Sequence, residues 1–201
     1  MKKIGFVTPW YGDGIPGGAE QELRGLVKHL NAAGVEVEVL TTCVEKFASD
    51  WNVDFHRPGL TSESGISVRR FRVRKRNVDK FDRVNFKLMH DQAISSEEEK
   101  IYVEEMINSP DLYRFMDIHQ DEYQLFVFIP YMFGTTFYGC QVCPEKTILI
   151  PCLHNESYAF MNCFREVFPA VKGMVFHSDP EKNLAEKIYG ISGEFFKNLG
   201  E

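Results

Sequence analysis

Three segments of this chain, residues 125–130 (LFVFIP), 147–151 (TILIP) and 173–178 (GMVFHS), reach strand length without the apolar-polar alternation of a half-exposed strand. Runs of that kind suit strands covered on both faces, which is the condition of a parallel sheet with helices above and below it. The third run passes into Asp179-Pro180-Glu181 and a helical spacing of Leu184, Ala185, Ile188 and Tyr189. Ser178 or Asp179 caps that helix, and Pro180 fits its first turn.

The amino-terminal end repeats the pattern. Ile4, Phe6 and Val7 form an apolar strand, Gly12, Gly14, Gly17 and Gly18 occupy the loop after it, and Ala19, Leu23, Leu26, Val27 and Leu30 recur at helical spacing. Residues 31–34 (NAAG) close the helix, residues 35–42 read as the next strand and residues 66–73 as a third. Residues 43–64 are polar and irregular, with Pro58 and Gly59 marking a loop. Residues 77–119 are charged and predict two or three helices, one capped by Ser95 or Ser96 ahead of Glu97-Glu98-Glu99 and one starting at Ser109-Pro110. Repeated strand-helix alternation predicts an α/β fold: a Rossmann-like, doubly wound, mostly parallel sheet with helices on both faces and ligands at the carboxyl ends of its strands.

A strand, a glycine loop and a helix in that order make an anion site. Glycine lets the backbone approach an oxyanion closely, and the amides and dipole at the helix start favour negative charge. A phosphate or an acidic sugar is the expected ligand. Neither G-x-G-x-x-G nor G-x-x-x-x-G-K-[ST] is present. With 23 basic and 29 acidic residues the net charge is −6, which disfavours nucleic acid as a partner. No apolar run approaches the ~18 residues of a membrane span, and the amino terminus lacks the apolar core of a signal peptide, so a cytoplasmic location is expected. Five irregularly spaced cysteines, Cys43, Cys140, Cys143, Cys152 and Cys163, read as free thiols in a reducing compartment.

Three segments in this order, TPWYGDGIPGGAE, IPYMFGTTFYG leading to LIPCLHNESYAF, and VFHSDPEKNLAEKIYGI, resemble the amino-terminal half of a retaining glycosyltransferase of GT-B architecture, in family 4. The likeness runs from Lys3 to Ile191. It implies two Rossmann-like domains facing a cleft, the first holding the acceptor and the second the nucleotide-sugar donor. On that reading residues 1–201 are one acceptor-side domain with a helical insertion at about 77–119. Only ten residues follow Ile191, so a donor domain is expected to be absent from this chain. The isolated chain is then expected to bind no cofactor of its own and to transfer no sugar at a useful rate. The nucleotide-sugar is the substrate of the complete enzyme, whose partners are a glycan, lipid or small-molecule acceptor and the donor domain. A stand-alone glycan- or partner-binding module, or half of a split transferase, is the alternative. The family's donor motif is two glutamates with seven residues between them. Glu97 with Glu105 and Glu186 with Glu194 share its spacing, but the family's motif lies in the second domain, so all four read as solvated carboxylates.

The resemblance also assigns site residues. Gly17 and Gly18 match the glycine pair that lies against the donor phosphate or the acceptor. Glu20 either orients an acceptor hydroxyl or complements the helix dipole. His154 matches the catalytic histidine, which contacts the transferred sugar without acting as a nucleophile. Asn155 and Glu156 share its loop, where relatives often have Asp in place of Asn155. Tyr131 and Thr135-Thr136 follow a strand end and line the acceptor side, or else serve the core.

From the residues themselves, Arg69, Arg70, Arg72, Arg74, Lys75 and Arg76 form the dense basic run, mostly solvated, with a bulge expected at Arg69-Arg70. Within it Arg74 and Arg76 are the candidates for a phosphorylated acceptor or for peripheral association with an anionic membrane. Cys140, Cys143, Cys152 and His154 offer a zinc-like set. Because Cys152 belongs to a strand and His154 to the cleft, no metal site is expected. Trp10, Tyr11 and Trp51 either stack on a sugar ring or anchor the glycine loop.

Overall fold

The first strand forms because residues 3–7 alternate little and bury both faces, and it becomes the hub of the sheet. The computed structural model describes residues 2–191 and the backbone of residues 196–198. In chain order the elements are β1 (Lys3–Val7), α1 (Gly18–Ala32), β2 (Val37–Thr42), β3 (Gly59–Glu63), β4 (Ile66–Phe71), α2 (Val78–Met89), α3 (Ser96–Glu105), α4 (Pro110–His119), β5 (Tyr123–Phe128), α5 (Gly134–Gly139), β6 (Thr147–Leu149), α6 (Asn162–Val167), β7 (Gly173–Phe176), α7 (Asp179–Tyr189) and β8 (Phe196–Asn198). Their sheet order is β3-β4-β2-β1-β5-β6-β7-β8. Every neighbouring pair is parallel except β3 with β4, which is antiparallel. The chain leaves β1 in one direction through β2 and β4, then returns to β5 on its other side. This reversal is the topological switch of a Rossmann-like doubly wound sheet.

Two apolar clusters cover the faces. On one, Leu23 and Val27 of α1 lie over Phe6, Val39, Val68 and Val127. Each such side chain contributes about 1.5–3 kcal/mol when fully buried. On the other, residues of α2 to α7 pack with Leu40, Phe126, Phe128, Leu149 and Phe176. The predicted helix signals hold in detail. Gly34 takes φ 83° after α1, Ser95 forms a capping box with Glu98, and Ser109 and Ser178 cap α4 and α7, each followed by a proline in the first turn. The stretch from 77 to 119 holds three helices.

Two expectations fail. Residues 43–64 are not irregular throughout, since Gly59 opens the edge strand β3. No bulge occurs at Arg69-Arg70, because β4 keeps an unbroken register with both neighbours there. Arg70 instead stays in phase with Ile66 and Val68 and is buried, 3% exposed. It pairs with Glu63 at 2.5 Å and donates to the Tyr11 carbonyl at 2.8 Å. A charge with two such partners can occupy an inward position that sequence alternation reserves for an apolar residue.

Candidate functional site

Three strand ends and two helix starts enclose a hollow of about 680 Å³. Its walls are Gly18, Ala19 and Glu22 after β1, Cys152, Leu153, His154 and Asn155 after β6, and His177 with the start of α7 after β7. Parallel strands direct all three of these loops to the same sheet edge, so residues more than a hundred positions apart in sequence become neighbours.

Just before the first wall, Gly17, which does not itself line the hollow, holds φ 132° and ψ 151° as the residue before α1, and no side chain caps the helix. A Cβ there would stand 1.9 Å from the Glu20 carboxylate. The positive φ favours glycine there, and the amides of the first turn have no side-chain cap, although the Glu20 carboxylate stands beside them. Glu20 folds back over this start, where its charge complements the dipole, and its other oxygen accepts the Trp10 indole N–H at 2.7 Å. It anchors the loop from inside the protein and is not among the residues lining the hollow.

At the second wall, His154 and Asn155 are exposed, and among the described residues neither side chain has a hydrogen-bond partner. Their polar atoms are therefore available to a ligand. Glu156 lines an adjoining depression of about 440 Å³ that Asn155 also borders. Its carboxylate accepts a hydrogen bond from the Tyr131 hydroxyl at 2.8 Å. Burial first, then the charge of Glu156, pushes the Tyr131 phenol far above its usual range.

The third wall contains residues that sequence reasoning did not select. His177 Nε2 meets Glu22 at 2.5 Å, and its Nδ1 meets Glu181 at 3.1 Å. Burial works to lower the His177 pKa, but the hydrogen bonds and charges of Glu22 and Glu181 together outweigh it, and the net shift is upward. Glu181 also accepts the backbone N–H of Leu153 at 2.7 Å and of His177 at 2.8 Å, joining the loops after β6 and β7. The signal in the sequence was the helical spacing that puts Glu181 in the first turn of α7, but its distant partners were invisible.

Several candidates lie elsewhere. Tyr131 and Thr135 are buried, 1% and 0% exposed, so neither lines the hollow. Arg74 is engaged by Glu105 at 2.9 Å and by the Glu104 carbonyl. Arg76 lies 4.5 Å from the centroid of Trp51 and 4.7 Å from that of Phe81. Neither arginine borders the hollow. Arg69 pairs with Glu38 at 2.7 Å, so the basic run is largely tied into the fold and not simply solvated. Trp10, Tyr11 and Trp51 are buried, and Trp10 packs against Trp51, Phe47 and Phe133, which corrects the sugar-stacking role to an anchoring one. Glu105 is buried and accepts from Arg74 and from the N–H of Asn77, so it is no solvated carboxylate. Glu97 is exposed, as expected. Glu194 lies outside the described residues.

All five cysteines are free. Cys140 is buried and its thiol is pushed well up by burial. Neither it nor Cys143 joins Cys152 and His154 in a ligand set. Among the described residues, one group of three metal-ligating side chains does come together, Glu22, Cys152 and His177, with donor atoms within 4.8 Å of one another. No helix among the described residues is long and apolar enough to cross a membrane.

No protein-family pattern matches the chain, and no characterised protein matches it in sequence.

Proposed function

We propose that this chain is the acceptor-side domain of a retaining glycosyltransferase of GT-B architecture, working on a nucleotide-sugar in the cytoplasm together with a donor-binding domain. One observation carries the reading. The uncapped start of α1 at Gly18 and the unengaged His154 border the same hollow at the carboxyl edge of a Rossmann-like sheet. On this reading a phosphate takes the uncapped amides of α1 in place of the neighbouring Glu20 carboxylate, and the sugar attached to it lies toward His154 and Asn155 on the facing wall. Catalysis on this reading comes from holding the acceptor hydroxyl beside the anomeric carbon and from stabilising the departing diphosphate charge. No side-chain nucleophile is required of this chain.

The test is an amide-resolved NMR titration of the chain with UDP-glucose, GDP-mannose, glucose 1-phosphate and neutral glucose. Saturable shifts at Gly18, Ala19 and Asn155 with a phosphorylated probe support the reading, as does about tenfold weaker binding in His154→Ala, the loss of one ligand hydrogen bond. Binding of neutral glucose with equal strength would instead favour a glycan-binding module. Shifts confined to other surfaces would overturn both.

A further inference from the structure

The wall formed by α1, the turn after β6 and the end of β7 carries a cluster that the sugar reading leaves unused. We propose that Glu22, Cys152 and His177 bind one divalent transition-metal ion of the zinc kind, with a fourth position open to the hollow.

Three different donor types, a carboxylate oxygen, a thiol sulfur and an imidazole nitrogen, converge within 4.8 Å. Ligands bound at about 2.0–2.3 Å around a tetrahedral zinc lie roughly 3–4 Å from one another, so small side-chain adjustments bring this group to coordinating geometry. The outer contacts are those of a metal-binding histidine. Glu181 takes the Nδ1 side of His177 at 3.1 Å, which directs Nε2 toward Glu22 and Cys152. The same carboxylate also accepts from Leu153 N–H, the residue after Cys152, so it fixes two of the three ligand positions together. Glu22 and His177 Nε2 meet at 2.5 Å. Metal entry replaces the hydrogen of that contact, and the thiol hydrogen of Cys152, with metal bonds.

The donor set also sets the choice of ion. Sulfur and imidazole select zinc or cobalt, whereas magnesium and calcium favour all-oxygen shells. Three protein ligands leave the last coordination position for water or a ligand oxygen, and all three residues line the hollow. This site shares the hollow with the proposed sugar-phosphate but does not depend on it, and its test needs no sugar.

The chain, stripped with chelator, is titrated with Co(II) and then with Zn(II) as competitor. One equivalent of Co(II) with a sulfur-to-cobalt charge-transfer band, displaced by Zn(II), is the expected result. The band is lost in Cys152→Ser and binding collapses in His177→Ala. Glu181→Gln weakens binding by about 10- to 100-fold, and Cys163→Ser leaves it intact. Circular dichroism verifies folding of each variant, and Glu22→Ala, altered on a helix surface, provides a second ligand deletion if Cys152→Ser does not fold. Absence of the thiolate band from the wild-type chain would overturn the proposal. So would its persistence in Cys152→Ser, or Co(II) affinity unchanged in both His177→Ala and Glu22→Ala.

Discussion

Two regions near the carboxyl edge of the sheet contain the residue types that bind ligands, and they use them in opposite ways. Around α1 and α7, His154 and Asn155 stand exposed with unengaged polar atoms, and the hollow they border is open. Between β4 and helices α2 and α3, Trp10, Trp51, Arg74 and Arg76 form a closed plug. The indoles are buried, Arg74 is paired, and Arg76 is packed between two rings. Aromatic and cationic side chains are therefore informative about binding only when the chain does not supply their partners. Here Phe81 of α2, Glu104 and Glu105 of α3, and Phe47 and Phe133 of the loops supply them.

The largest expected effect breaks the plug. Trp10→Ala removes an indole that is 2% exposed and packed on three rings, and it should cost about 3–5 kcal/mol of unfolding free energy in a urea titration. A loss below about 1 kcal/mol would place Trp10 on the ligand side of the comparison instead. Next, Glu105→Ala strips Arg74 and the Asn77 N–H of a shared acceptor. About 1.5–3 kcal/mol should be lost, measured by the same titration, with sugar-phosphate binding by the surviving folded protein unchanged.

At the open region, Gly17→Ala is expected to cost about 1–3 kcal/mol, since φ 132° strains any other residue and the new Cβ meets the Glu20 carboxylate. Glu20→Ala in the same chain should relieve the clash but not the backbone strain, so recovery in a thermal melt will be partial. Complete recovery would mean that the backbone there is not constrained. His154→Ala should leave stability within about 0.5 kcal/mol, as for other exposed positions without partners. A destabilisation beyond 1 kcal/mol would show that His154 belongs to the packed scaffold.

The smallest effect is electrostatic and lies at the start of α3. The Glu98 carboxyl is held below its ordinary value of 4.5 first by its hydrogen bond with Lys87 and then by the Ser95 backbone. A depressed carboxylate stabilises the fold above its unfolded pKa, and that contribution fades as pH falls through the folded value. The protection factors of the amides in the first turn of α3, corrected for intrinsic exchange, should therefore fall as the pH is lowered below about 4.5 in the wild-type chain. Glu98→Gln, which keeps the capping acceptor, should flatten that dependence. An equal pH dependence in both would exclude the pair as its source.

Local signals were the legible ones. Gly34, the capping box at Ser95 and the Ser-Pro helix starts act within four residues, so adjacency in sequence suffices to read them. The strand β3 was not legible, because GLTSE is mostly exposed and becomes a strand only through its antiparallel pairing with β4. The glycine loop was read from its position after a strand and His154 from the family resemblance, and Gly18 and His154 border one hollow. Glu22, His177 and Glu181 were missed because their partners lie in other elements.

The run Glu97-Glu98-Glu99 shows where that division falls. The order of residues alone determined that these carboxylates begin a helix, that parallel strands carry the core, and that loops after strands face one edge, since each follows from short-range periodicity, capping and connection rules. Tertiary packing decided that Glu97 stays exposed, that Glu98 also pairs with Lys87 of α2, and that Glu99 is buried against the Asn162 and Cys163 amides at the start of α6. It likewise decided that Arg70 is interior while His154 is free. The reason is physical: the cost of burying a charge depends on which distant donor or acceptor meets it, and that meeting exists only once the sheet has brought the elements together.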